Sequence, residues 1–283
     1  MTSWAFAPSP MCEGNFAYRN GRRKGCVSTS DTVYSFSRLS AYEQCKYQYY
    51  LNYLLPLDQR PPKTPNAFSV YGGFVHSIIE QYANGELAEF ELLDKYVNEF
   101  DIQVHVDFPP NAYADLRKSY FDGGYAYFES FDGFKYLGGT QILGVEQEFT
   151  EGFGDFKLRG FIDLVLSNEC GDIIIVDHKS KKEIKTKKDK LHYGRQPLLY
   201  SRYIKSKYGK APSKMIFNMF RSGSTLEIPY SETAYQESVQ WAKNQISKIE
   251  NTTEWTPQPD QFYCSFLCDY RESCVYKPES AEC

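Results

Sequence analysis

The sequence predicts an α/β protein with a mixed central sheet flanked by helices, a helical N-terminal part and a cysteine-bearing C-terminal tail. Three observations carry that expectation. Helical periodicity runs to about residue 130, three consecutive strand patterns follow between 141 and 179, and a helix, two strands and a last helix complete the order.

Residues 1–33 combine Pro, Gly and Ser with a basic Arg22-Arg23-Lys24 and two separate cysteines, Cys12 and Cys26, and read as an irregular extension. Ser35-Phe36-Ser37 opens an aromatic helix with Leu39, Tyr42, Tyr49 and Tyr53 at helical spacing, and Pro56 and Pro61-Pro62 end it. Helices are expected near 68–83, 87–104 and 111–130, the last weakened by Gly123-Gly124. Strands over 141–150, 155–167 and 172–179 are separated by Gly152 and Gly154, then by Asn168 and Gly171. A helix near 191–207, strands near 214–220 and 224–229, and a helix near 231–250 follow. The expected organisation is therefore an extension (1–33), a helical region (34–135), a sheet-bearing core (136–250) and a cysteine segment (251–283).

With 283 residues, 42% hydrophobic and 24% charged, the chain can bury a sizeable core. Its 24 Tyr and 20 Phe serve mostly as core, with stacking surfaces as a second use. No stretch approaches the length of apolar residues needed to cross a membrane, and Met1 to Pro10 has no secretory pattern. A reducing cytoplasm is the expected compartment, and there clustered cysteines hold metal more often than they form disulfides. The net charge of -4 argues mildly against a nucleic-acid partner, unless charge is clustered.

It is clustered. Lys179, Lys181, Lys182, Lys185, Lys187, Lys188 and Lys190 place seven lysines in twelve residues. A solvated mobile loop is the ordinary explanation for such a run. Its position beside the strand end described next favours a loop that tracks phosphates without reading sequence.

The chemistry-bearing stretches are Gly160-Phe161-Ile162-Asp163 and Ile173-Ile174-Ile175-Val176-Asp177-His178-Lys179. Alternation puts Asp177 and Lys179 on one face of their strand, and Asp163 on a face with Phe161 and Val165. If the two strands pair as a hairpin, two carboxylates and an ammonium meet at the end of apolar strands. Phosphodiester hydrolysis needs such a set: hard oxygen ligands for Mg²⁺ or Mn²⁺ and a cation near the attacking water. Taken singly, each residue has an ordinary explanation: strand-end acids with a lysine partner, a structural histidine at His76, and a core tyrosine at Tyr200.

The ordered set Gly73-x-x-His76, Gly160-x-x-Asp163, Asp177-x-Lys179 and Gln196-x-x-x-Tyr200 resembles the RecB-like branch of the PD-(D/E)xK nucleases over roughly residues 35–276. The resemblance implies a restriction-endonuclease-like core. It also implies His76, Asp163, Asp177 and the backbone carbonyl of His178 as ligands of Mg²⁺ or Mn²⁺, and Lys179 as catalytic lysine. Gln196 and Tyr200 then match the helix motif that positions lysine, water or DNA. Asp177 stands where many members carry Glu. The implied activity is DNA cleavage, most often exonucleolytic, in recombination, repair or viral (bacteriophage) DNA metabolism. No G-x-x-x-x-G-K-[ST] phosphate loop accompanies it, so no helicase motor is expected. The alternatives are a non-catalytic DNA-binding scaffold on the same fold and an RNase.

Cys264, Cys268 and Cys274 lie within eleven residues and suit Zn²⁺ or an iron–sulfur cluster, either of which needs a fourth ligand. By the same resemblance, to CRISPR-associated, AddB-like and bacteriophage relatives, that ligand is Cys45 and the group is a [4Fe-4S] cluster. Lys46 replaces the proline common after the early cysteine. Zn²⁺ on Cys264, Cys268, Cys274 and Cys283 is the rival assignment, and Cys170 reads as structural.

Overall fold

The computed structural model describes residues 32–276 together with two short paired strands, β1 (Tyr18–Arg19) and β2 (Arg22–Arg23). Cys12, Lys24, Cys26 and Cys283 lie outside the described residues.

Strand β3 (Val33–Tyr34) joins the main sheet, so regular structure begins slightly before the expected helix. Helix α1 (Phe36–Gln44) starts where Ser35 accepts from the Arg38 N–H at 3.1 Å. The single aromatic helix read from the sequence is interrupted at Cys45, whose backbone is extended (φ -160°). Helix α2 (Lys46–Tyr49) resumes it and runs on into a π-helical turn, Tyr50–Leu54. Helix α3 (Ala67–Ala83) is capped by Asn66, and α4 (Leu92–Gln103) follows a short 3-10 turn.

Helix α5 (Leu116–Glu129) begins later than expected, because the Asn111 side chain accepts from the N–H groups of Tyr113 and Ala114 and holds them in a turn. Gly123-Gly124 does not break α5. A Cβ at Gly124 would overlap the Tyr96 hydroxyl, so that glycine lets α4 and α5 approach closely.

The remaining elements are β4 (Gln141–Gly152), β5 (Lys157–Ser167), β6 (Ile173–His178), α6 (Lys187–Tyr208), β7 (Lys214–Met219), β8 (Ser224–Pro229) and α7 (Glu232–Asn251). Helix α6 starts four residues before the expected 191. Thr186 accepts from the Asp189 N–H, and this cap works although lysines crowd the first turn.

Six strands form a mixed sheet. β4 lies antiparallel along one edge of β5, while β3 and β6 share its other edge at opposite ends. β6 pairs parallel with β7, as the α6 crossover requires, and β8 closes the order antiparallel. Helices α3, α4 and α5 cover one face through Leu164, Leu166, Ile174, Val176 and Ile216. Helices α1, α6 and α7 cover the other through Val165, Ile173, Ile175 and Met215. Burial of strand side chains on both faces explains the unbroken apolar run Ile173–Val176. Among the described residues no helix is long and apolar enough to cross a membrane.

Candidate active site

The site arises where β5 and β6 part. Their pairing begins at Ser167↔Ile173 and ends at Leu164↔Val176, and continuing that register would set Asp163 opposite Asp177. The ladder stops instead, and the Asp163 side chain accepts from the His178 N–H at 2.7 Å. Asp163 thus occupies the place of the next cross-strand bond and keeps its carboxylate beside the strand end.

Strict alternation fails around Asp163. Leu158 and Ile162 pack in the same core as Val165, while Phe161 is half exposed. The expected shared face of Phe161, Asp163 and Val165 is therefore corrected. The ribbon of β4 and β5 turns over at this point, opposite Glu146, whose φ of 43° is the one left-handed non-glycine conformation among the described residues.

Asp177 and Lys179 lie together as their spacing predicts, with Nζ 2.5 Å from Oδ2. Lys179 leaves the strand but its N–H still donates to the Asn218 carbonyl of β7, at 2.8 Å. Burial disfavours the Lys179 charge, but Asp177 and Asp163 outweigh it and raise the pKa, so the side chain is an ammonium. Burial and then Asp177 push the Asp163 carboxyl up to about 6, against the pull of His76, Lys179 and the His178 N–H.

His76, on α3, reaches the same cleft from the other side of the sheet. Its Nε2 is 2.9 Å from the His178 carbonyl oxygen and its Nδ1 is 3.8 Å from Asp163 Oδ2. Asn218 Nδ2 donates to the Nδ1 of the His178 imidazole at 2.9 Å. Burial, then His76 and Lys179, hold the imidazole pKa well below the ordinary value, so it stays neutral, with its ring edge-on to His76 at 5.5 Å between centroids.

On the α6 side, Gln196 Nε2 donates to the Tyr200 hydroxyl at 3.3 Å. Tyr200 is buried, which raises its pKa, and Asp177 and Asp163 are near enough to raise it further. Gly160 of the Gly160-x-x-Asp163 motif makes room for that ring: a Cβ there would lie 2.7 Å from Tyr200 Cζ and 2.8 Å from Phe149 Cζ. Gly160→Ala is expected to destabilise the fold by about 1–3 kcal/mol through overpacking, read as a lower denaturant midpoint at constant slope.

Sequence reasoning missed Glu146. It reads as one polar position of an alternating strand, yet ligand atoms of His76, Glu146 and Asp163 all lie within 4.8 Å of one another. Glu80 of α3 lines the same cavity. Burial, then Asp163, Glu80 and Asp177, push the Glu146 carboxyl up to about 7.

These residues fit a hard divalent cation. Carboxylates, an imidazole nitrogen and a peptide oxygen are suitable donors.

The lysine run is anchored to the sheet at two points. Ile184 is buried against Phe217 and Met219, and the Ser222 hydroxyl donates to the Lys182 carbonyl at 2.7 Å. Lys181, Lys182 and Lys185 are exposed on this pinned segment, while Lys187 and Lys188 belong to the first turn of α6. Lys181 Nζ stands 4.9 Å from the Tyr193 ring centre.

A second cavity is lined by Cys45, Cys264, Cys268 and Cys274, with Tyr263 and Tyr270. Extended backbone at Cys45 and a π-helical turn over Tyr263–Leu267 set two of its walls. Burial raises the Cys268 thiol to about 11, while the Tyr270 N–H, donating to Sγ at 3.4 Å, pulls the other way. Tyr263 bonds Gln48 at 2.9 Å, Tyr270 bonds Asn52 at 3.0 Å, and Arg271 bonds the Thr64 carbonyl at 2.8 Å, so the tail is tied to the N-terminal helices. Cys170 is exposed in a turn, apart from this group.

No curated relative matches the chain by sequence. Among solved structures it is similar to the "Crystal structure of SSO0001", at 15% identity over 73% of this chain and 96% of that chain, with a TM-score of 0.33. The sequence profile of the PD-(D/E)XK nuclease superfamily matches residues 33–275, a span holding both strands that part at Asp163 and the helices that face them. The chain belongs to the PD-(D/E)XK nuclease superfamily.

Proposed function

We propose that the protein is a metal-dependent DNA nuclease of the RecB-like branch that hydrolyses phosphodiester bonds from DNA ends. The observation that supports this reading is the parting of β5 and β6, where His76, Asp163 and the His178 peptide come together beside the Asp177–Lys179 pair.

In this reading His76, Asp163, Asp177 and the His178 carbonyl hold Mg²⁺ or Mn²⁺. The bound cation neutralises phosphate charge and makes a coordinated water more acidic. Lys179, charged and beside Asp177, directs its N–H donors toward the attacking water and toward charge building on the phosphoryl oxygens. The Gln196 amide and Tyr200 hydroxyl form the α6 wall and orient lysine, water or a phosphate. Lys181, Lys182, Lys185, Lys187 and Lys188 supply a sequence-independent grip on the incoming backbone, while net negative charge elsewhere confines the polyanion to that groove.

The cysteine cavity supports the second part of the reading, a [4Fe-4S] cluster on Cys45, Cys264, Cys268 and Cys274.

End-labelled linear DNA, a covalently closed circle and RNA of matching sequence, incubated with Mg²⁺, test the activity. The expected result is degradation of linear DNA, sparing of the circle, and no product with EDTA or with Asp177→Ala. Cutting of the circle would overturn the preference for ends. Cleavage confined to RNA would make the protein an RNase.

A further inference from the structure

We propose that Glu146 is a further protein ligand of the cation held by His76 and Asp163, giving a centre with a third carboxylate beside Asp163 and Asp177. The proposal rests on the metal-dependent reading above. It is carried by the position of Glu146 in the β4–β5 ladder: the pairs Val145↔Leu164 and Gln147↔Ile162 bracket it, which sets Glu146 directly across from Asp163.

Its ligand atoms and those of His76 and Asp163 fall within 4.8 Å of one another, from three different elements, α3, β4 and β5. The cavity they line also contains the His178 residue whose carbonyl meets His76. One more oxygen from Glu146 would bring the protein donors to five, so fewer waters complete an octahedral shell.

The backbone at Glu146 independently marks the position. A φ of 43° is disfavoured for a side chain bearing a Cβ, and Gly or Asn would occupy it at lower cost. A glutamate held there is accounted for by what its carboxylate does, since strained conformations persist where function over-determines them. The turnover of the β4–β5 ribbon at this residue aims the carboxylate into the cleft instead of along the sheet.

Glycine at 146 therefore separates ligand from scaffold. It suits the conformation and removes the carboxylate. Full-length wild type, Glu146→Gly, Glu146→Gln and Asp163→Asn are titrated with Mn²⁺ by calorimetry and melted with and without Mn²⁺. Expected are a Kd weakened by about ten- to hundred-fold in both Glu146 variants, a metal-free Glu146→Gly that melts no lower than wild type, and a smaller Mn²⁺-induced rise in Tm. Unchanged Mn²⁺ affinity in Glu146→Gly, with binding lost in Asp163→Asn, would overturn the proposal and leave the metal reading standing. A wild type that takes up no Mn²⁺ would overturn both.

Discussion

Lys179→Ala is expected to lower kcat for DNA hydrolysis by about 10²–10³-fold, on the order of 3–4 kcal/mol of transition-state stabilisation, while leaving Mn²⁺ binding intact. The basis is the side chain's position. Lys179 contributes a permanent ammonium beside Asp177 and Asp163, both of which raise its pKa against the cost of burial. On the proposed role it acts on charge that develops at the phosphoryl group, so the loss falls on kcat more than on KM. Removing it also leaves Asp177 without its counter-charge, so cation affinity should hold or rise. Lys179→Arg restores charge but not shape, since a planar guanidinium cannot take the place of a compact ammonium 2.5 Å from Asp177. Single-turnover assays at saturating Mg²⁺ measure the effect. A variant cleaving within about ten-fold of wild type would remove Lys179 from the chemistry.

The second large effect is expected at the cysteine cavity. Anaerobically purified protein should be brown, with about four irons and four sulfides per chain. Cys45→Ser should lose that iron and melt lower. Cys45 and Cys264 bracket more than two hundred residues, and a cross-link closing a loop of that size stabilises by about 5 kcal/mol. For a chain of this length that corresponds to roughly 8–9 °C in Tm. The tail would not detach wholly, because Tyr263, Tyr270 and Arg271 keep their bonds to Gln48, Asn52 and Thr64. Colourless wild type with stoichiometric zinc would refute the cluster, as would full iron content in Cys45→Ser.

Much of the architecture was legible because its signals are local and redundant. The run Ile173–Val176 is buried on both faces, turns at Gly154 and Gly171 take positive φ, and α3 and α7 have Asn66 and Ser231 caps. The antiparallel pairing that brings Asp163 to the end of β6 was legible too, since a short connection joins two apolar strands. Missed features depend on tertiary context. The break at Cys45 has no proline or glycine to announce it, and the start of α6 is hidden beneath lysines that oppose the helix dipole. Glu146 was illegible for a deeper reason. Its importance comes from a left-handed backbone that no residue type near it demands, and from His76, seventy residues earlier in the chain.

The same context explains why Gly160 and Tyr200 belong to one motif although forty residues separate them. The ring needs the missing Cβ, and the packing that results brings the Tyr200 hydroxyl to Gln196 near the carboxylates. Sequence order records such a pair only as two separate letters.

The central claim is that the parted ends of β5 and β6 form a cation site. Anomalous scattering from a crystal soaked in Mn²⁺ tests it most directly. A peak is expected about 2.0–2.6 Å from oxygens of Asp163 and Asp177, from the His178 carbonyl and from a His76 nitrogen. A soaked crystal with no peak in that cleft, or with manganese bound only elsewhere on the chain, would contradict it.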